Sequence, residues 1–135
     1  MEGDTNMTEN ANNRVLLVED YEGNIVVGQT YLELFGFDVD VARNGRLAVE
    51  CAERTRYAAI LMDVEMPEMD GLAATTRIRQ TEAARKTART PIIVLTSHLT
   101  TAIRRLCTRA GADLVLAKPM TAQIEGDLAR LMAAA

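Results

Sequence analysis

The sequence has no hydrophobic run approaching the ~18 residues that a membrane-spanning helix needs. Its first thirteen residues, MEGDTNMTENANN, are acidic and polar, without the apolar segment of a signal peptide. These absences predict a cytoplasmic protein with no membrane association. Cysteine is scarce. Cys51 and Cys107 lie too far apart for a metal motif. Both fall on apolar faces of predicted helices, where reduced, buried thiols are expected. Histidine occurs once, at His98, with no nucleophile beside it, and reads as structural or as a partner contact. The net charge of −4 argues against a dedicated nucleic-acid binder. Internal repeats and an interdomain linker are missing. The first predicted strand leads into EDYEGN rather than G-x-G-x-x-G, so there is no dinucleotide-type pyrophosphate seat.

What is present fits one domain. A chain of 135 residues can bury a real core without staples. Residues 1–13 read as a disordered tail and residues 14–135 as the domain. Five strand-like runs alternate with five helix-like runs. Residues 15–18, 58–62 and 92–96 are short continuous apolar segments, which suit parallel strands covered on both faces. Residues 37–41 instead alternate Phe37, Val39 and Val41 with Asp38 and Asp40, the pattern of a half-exposed edge strand. The fifth run covers residues 113–117. Helices are predicted over residues 24–35, ending at Gly36, and over 45–54. Others are predicted from Gly71 to about Gln80 after Asp70 as N-cap, over 101–110 before Gly111, and from Thr121 onward. The polar stretch 81–90 reads as a loop with a frayed helix end. This alternation predicts a doubly wound α/β domain with right-handed crossovers. The edge-like second strand favours a five-stranded parallel sheet in the order 2-1-3-4-5.

In such sheets ligands bind beyond the carboxyl ends of the strands, at the switch point. Strand 1 delivers Glu19 and Asp20 there, strand 3 Asp63, strand 4 Thr96 and Ser97, and strand 5 Lys118. Three carboxylates in one crevice repel one another unless a cation joins them or their pKa values rise. A hard divalent cation fits an all-oxygen set, and Mg²⁺ takes few carboxylates and keeps waters. A lysine and a hydroxyl opposite suggest an anionic second occupant such as a phosphoryl group. One carboxylate is then free to be a nucleophile, and Asp63 is the central candidate. The other acids of ILMDVEMPEMDG have plainer readings. Glu65 and Glu68 have side chains expected in solvent, and Asp70 is a helix cap contributing roughly 1 kcal/mol. A calcium loop of the EF-hand kind is interrupted by Met66, Pro67 and Met69 and lacks the terminal bidentate Glu.

The segments VLLVED (15–20), LMDVEMPEMDG (61–71), IIVLTS (92–97) and GADLVLAKP (111–119) stand in order and at the right spacings. With them the chain resembles the receiver domain of two-component response regulators, a flavodoxin-like fold, from about Arg14 to Met132. Asn24 and Thr96-Ser97-His98 are similar to receivers attached to hybrid histidine kinases. The resemblance implies that Asp63 is the phosphoacceptor. It implies that Asp20 and Asp63 ligate Mg²⁺ (or Mn²⁺) directly, Glu19 through water, and Glu65 by its backbone carbonyl. Lys118 would pair with a phosphoryl oxygen, Thr96 would turn its hydroxyl onto the phosphoryl group, and the Lys118–Pro119 bond would be cis. One position departs from the pattern: three residues before the lysine the family often has an aromatic switch residue, and here stands Val115.

The resemblance implies phosphoryl transfer from a histidine kinase or a histidine phosphotransfer protein onto Asp63, altering contacts with a downstream protein target. The expected protein is a monomer or weak dimer that binds no nucleic acid directly and does not turn over an external substrate. About 16 residues follow Pro119, room for one helix, so no fused effector is expected. Two alternatives stand beside this. One is an Asp-nucleophile phosphohydrolase, with Glu65 two residues after the nucleophile. The other is a binding module indifferent to phosphate, for which Val115 is the best argument. Arg104, Arg105 and Arg109 read either as a solvated helix face or as a basic partner surface.

Overall fold

A computed structural model describes residues 12–66 and 70–134. Its elements alternate along the chain: β1 (Arg14–Val18), α1 (Glu22–Leu34), β2 (Asp38–Ala42), α2 (Gly45–Arg54), β3 (Ala59–Asp63), α3 (Gly71–Arg85), β4 (Ile92–Thr96), α4 (Thr101–Ala110), β5 (Leu114–Ala117) and α5 (Ile124–Ala134). The five strands form one parallel sheet in the order β2-β1-β3-β4-β5. The domain is therefore the doubly wound fold that the sequence pattern predicts.

Side chains of a strand alternate between faces, so a continuous apolar run has two cores to fill. Leu16, Val18, Ile60, Met62, Ile92 and Val94 pack on one face, with Ala48, Val49, Ala74, Ile78 and Cys107 of α2, α3 and α4. Val15, Leu17, Ala59, Leu61, Ile93 and Leu95 fill the other, against Leu32 of α1 and Ile124 and Leu128 of α5. Cys51 and Cys107 are free thiols as expected; Cys107 is fully buried, whereas Cys51 is only half-buried at the edge of the core. Among the described residues no helix is long and apolar enough to cross a membrane.

Helix termini are set by side chains. Asn44 caps α2 through Leu47 N–H, Asp70 caps α3 through Ala73 N–H, and Thr100 caps α4 through Ile103 N–H. Gly36 and Gly111 follow α1 and α4 at φ +94° and +118°, the left-handed region that glycine enters without penalty.

Several boundaries move: β1 starts one residue earlier than expected, β3 lies one residue later and β5 starts one residue later. β2 lies one residue later than the alternation suggested, because the ladder with β1 pairs Arg14 with Asp38 through Val18 with Ala42. Its edge character stands, with Asp38 exposed. α1 starts at Glu22, two residues early. α5 starts at Ile124, after a turn at 122–123 in place of the helical start expected at Thr121.

The largest shift is α3, which runs to Arg85 rather than stopping near Gln80. Arg79 explains it. Its guanidinium pairs with Glu82 at 2.8 Å and Asp113 at 2.9 Å, and donates to the carbonyls of Thr90 and Gly111. Glu82 in turn accepts from Thr90 N–H at 2.9 Å. These long-range bonds hold the polar stretch in helical register despite its missing apolar stripe.

Of the tail expected over 1–13, residues 1–11 lie outside the described residues. Asn12 and Asn13 are tied to the domain, donating to the carbonyls of Arg56 and Gly36. Pro67, Glu68 and Met69, and with them the solvent role expected of Glu68, also lie outside the described residues.

Candidate active site at the carboxyl edge of the sheet

β1 and β3 are neighbours at the centre of the sheet, with their chain continuations on opposite sides of the switch point. Glu19 and Asp20 follow β1, and Asp63 is the last residue of β3. Each offers a carboxylate oxygen within 4.8 Å of the other two. Glu19 and Asp63 are 4% and 1% exposed, whereas Asp20 faces solvent. Glu19 is held in place by Tyr21 N–H at 3.2 Å and Asn24 Nδ2 at 3.4 Å, both donating to Oε2. Burial pushes its pKa up, and the Asp63 charge adds to this. The Tyr21 and Asn24 bonds and Lys118 pull the other way without cancelling it.

Lys118, delivered by β5 and followed by a cis bond to Pro119, closes the opposite side. Its Nζ lies 2.8 Å from Asp63 Oδ1 and 3.6 Å from Glu65 Oε1. Burial lowers its pKa. The hydrogen bond and charge of Asp63, with Glu19 and Glu65 behind, outweigh that and hold it above the ordinary value. Asp63 Oδ1 also accepts from Glu65 N–H at 3.0 Å. Asp63 Oδ2 is buried with no hydrogen-bond partner. An orphaned carboxylate oxygen is costly unless something else occupies its lone pairs. Gly71 makes this close packing possible, since a Cβ there would collide with the Asp63 carbonyl oxygen.

Thr96 ends β4, buried beside this group. Its hydroxyl does not face Asp63; it donates to Glu65 Oε2 at 3.0 Å and accepts from His98 N–H at 3.1 Å. The Glu65 side chain is exposed, as expected, but it is not free of the protein. It also accepts from Ser97 N–H at 3.4 Å and lies 3.5 Å from His98 Nδ1. Burial works to raise the Glu65 pKa, but the bonds from Thr96, Ser97 and His98 prevail and lower it. No sequence signal announces this contact, because a rotamer choice on a loop leaves no periodic trace. Val115 sits 3% exposed in the core against α4, and the Arg104 guanidinium reaches its carbonyl at 3.4 Å.

The donor set suits a hard cation. It has three clustered carboxylates, one oxygen without a partner, and only oxygen ligands.

A doubly wound α/β domain with acids from two central strands facing a lysine from the fifth is a specific class of architecture, and known proteins share it. A family model of the response regulator receiver domain matches residues 15–125. The sensor protein GacS of Pseudomonas syringae pv. syringae is 39% identical over 108 residues, covering 80% of this chain and 12% of that protein. The receiver domain of the sensor histidine kinase PA1611 from Pseudomonas aeruginosa PAO1 was solved with a magnesium ion in its active-site cleft. It is 40% identical with a TM-score of 0.81, covering 91% of this chain and 99% of that one. A chain in the co-crystal of the Saccharomyces cerevisiae phosphotransfer protein Ypd1 with the receiver domain of Ssk1 reaches a TM-score of 0.85 at 23% identity, over 90% of each chain, a likeness of fold alone. The chain belongs to the response regulator receiver domain family.

Proposed function

We propose that this domain accepts a phosphoryl group on Asp63 from a phosphohistidine of a histidine kinase or histidine phosphotransfer protein. The observation that carries this is the state of Asp63. It is 1% exposed, with Oδ1 fixed by Lys118 and the Glu65 N–H, and Oδ2 unpartnered among the acids. An Asp63 carboxylate oxygen attacks phosphorus and an O–P bond forms as the P–N bond breaks. The bond's electron pair stays on the imidazole nitrogen, which departs as neutral imidazole when its other nitrogen carries a proton. The product is an acyl phosphate. Little covalent machinery is needed, because positioning and charge neutralisation dominate phosphoryl transfer.

Lys118 stands where it can neutralise an incoming phosphoryl oxygen, and Thr96 and Ser97 offer an O–H and an N–H on the same side. Asp20, Asp63, Glu19 through water, and the Glu65 backbone carbonyl would hold Mg²⁺, with Mn²⁺ a chemical equivalent. When bound, such an ion supplies positive charge that lets an anionic donor approach three carboxylates. The magnesium in the PA1611 receiver supports this assignment.

Phosphorylation is stoichiometric in this reading, with no external substrate turned over. It places a phosphoryl group of about −1.5 to −2 charge beside Lys118 in place of the single carboxylate charge of Asp63 and biases contacts with a protein target, most directly at β5, α4 and α5. A second reading, a binding module indifferent to phosphate, is favoured by Val115 alone. Val115 cannot provide the swinging ring often found at this position.

Incubation with Mg²⁺ and a small phosphodonor separates the readings. Wild type gains acid-stable, base-labile phosphate, while Asp63→Asn and a chelator-treated sample do not. Absence of label from wild type would leave the binding module standing.

A further inference from the structure

Glu65 lies two residues beyond Asp63, and its carboxylate has collected the donors that a phosphoryl group on Asp63 would use. The Thr96 hydroxyl has a single proton. His98 N–H donates to its oxygen, and the proton is directed at Glu65 Oε2, 3.0 Å away. The Ser97 N–H points at Glu65 Oε1, at 3.4 Å. Lys118 Nζ lies 2.8 Å from Asp63 Oδ1 and forms a longer ion pair with Glu65 Oε1 at 3.6 Å. Two of these three donors have one proton each, so neither can serve Glu65 and a phosphoryl oxygen together at full strength. The Glu65 side chain is 40% exposed, with water beside it to receive the displaced carboxylate.

We infer that the Glu65 carboxylate is a resident occupant of the phosphoryl cradle, held by Thr96, Ser97 and Lys118, and that phosphorylation of Asp63 must displace it. This rests on the reading of Asp63 as phosphoacceptor and adds a gate to it. Glu65 sets the fraction of molecules whose cradle is open. Apparent affinity for any phosphoryl-like ligand is scaled by that fraction. If Glu65 holds the cradle in about nine molecules of ten, its removal strengthens binding about tenfold. Substitution leaves the backbone N–H and carbonyl of residue 65 in place, so the bond to Asp63 Oδ1 and the proposed metal contact survive.

The test is titration of beryllofluoride, a phosphoryl mimic, into the Mg²⁺-loaded full chain by ¹H–¹⁵N NMR, with wild type, Glu65→Ala and Glu65→Gln. Glu65→Ala should saturate at about tenfold lower concentration, the open-fraction gain. Glu65→Gln, uncharged but still able to accept from Thr96, should fall between. In metal-free protein the Ser97 amide resonance should move on Glu65→Ala, reporting release of its acceptor. Equal affinity of wild type and Glu65→Ala would overturn the inference. Equal gains for Gln and Ala would assign the effect to charge alone and overturn it too. If wild type binds no beryllofluoride and forms no acyl phosphate, the receiver reading itself falls, and the gate with it.

Discussion

Single residues carry the chemistry, and position in the chain made most of them visible. Asp63, Glu19, Asp20, Thr96 and Lys118 each follow or end an apolar strand, so a strand list is enough to bring them to one crevice. Side-chain direction was not visible in the same way. Thr96 and the exposed Glu65 carboxylate meet each other, because the hydroxyl finds a charged acceptor at 3.0 Å. Glu19 yields a prediction at this scale. Its folded pKa lies above the ordinary 4.5, so the folded protein binds this proton more tightly than the unfolded chain. The resulting stability is present in full below pH 4.5 and lost as pH rises through the folded value. Urea unfolding of metal-free protein should show this segment in wild type and lose it in Glu19→Gln. Identical pH profiles would mean that Glu19 is not strained by burial and Asp63.

At the scale of elements, the strands were legible because a parallel strand buried on both faces leaves an unbroken apolar run. The edge strand was legible by its alternation, though its register was set by pairing with β1 and fell one residue later. Helices with caps were read well. Asp70, Asn44 and Thr100 all accept from the backbone N–H three residues on. The end of α3 is not legible because its last turn lacks an apolar stripe and depends on Arg79, whose partners other than Glu82 lie 11 to 34 residues away. Pattern reading cannot see a helix held by such bonds. Asp70→Ala should cost about 1 kcal/mol as a lost cap. Arg79→Ala should cost more, about 1–3 kcal/mol, because Glu82 and Asp113 lose a largely buried partner. Equilibrium denaturation measures both, and an Arg79→Ala cost below that of Asp70→Ala would show that the polar network is only decorative.

Over the whole molecule, the order β2-β1-β3-β4-β5 does the assembling. Two neighbouring central strands bring Glu19, Asp20 and Asp63 together, and the fourth and fifth strands supply the opposing hydroxyl and lysine. Glycine at position 71 lets α3 start against the Asp63 carbonyl, so the core and the site share one rigid edge. The chain spans 12% of the length of GacS, and the chemistry proposed for it is local to the domain. That chemistry stands on an acyl phosphate at one carboxylate. An acyl phosphate is reduced by borohydride to an alcohol, which marks its position permanently. Wild-type protein treated with Mg²⁺ and a phosphodonor, then with tritiated borohydride and digested, should carry label as homoserine at position 63, and none in Asp63→Asn. Label at another carboxylate, or no label in wild type, would contradict the account.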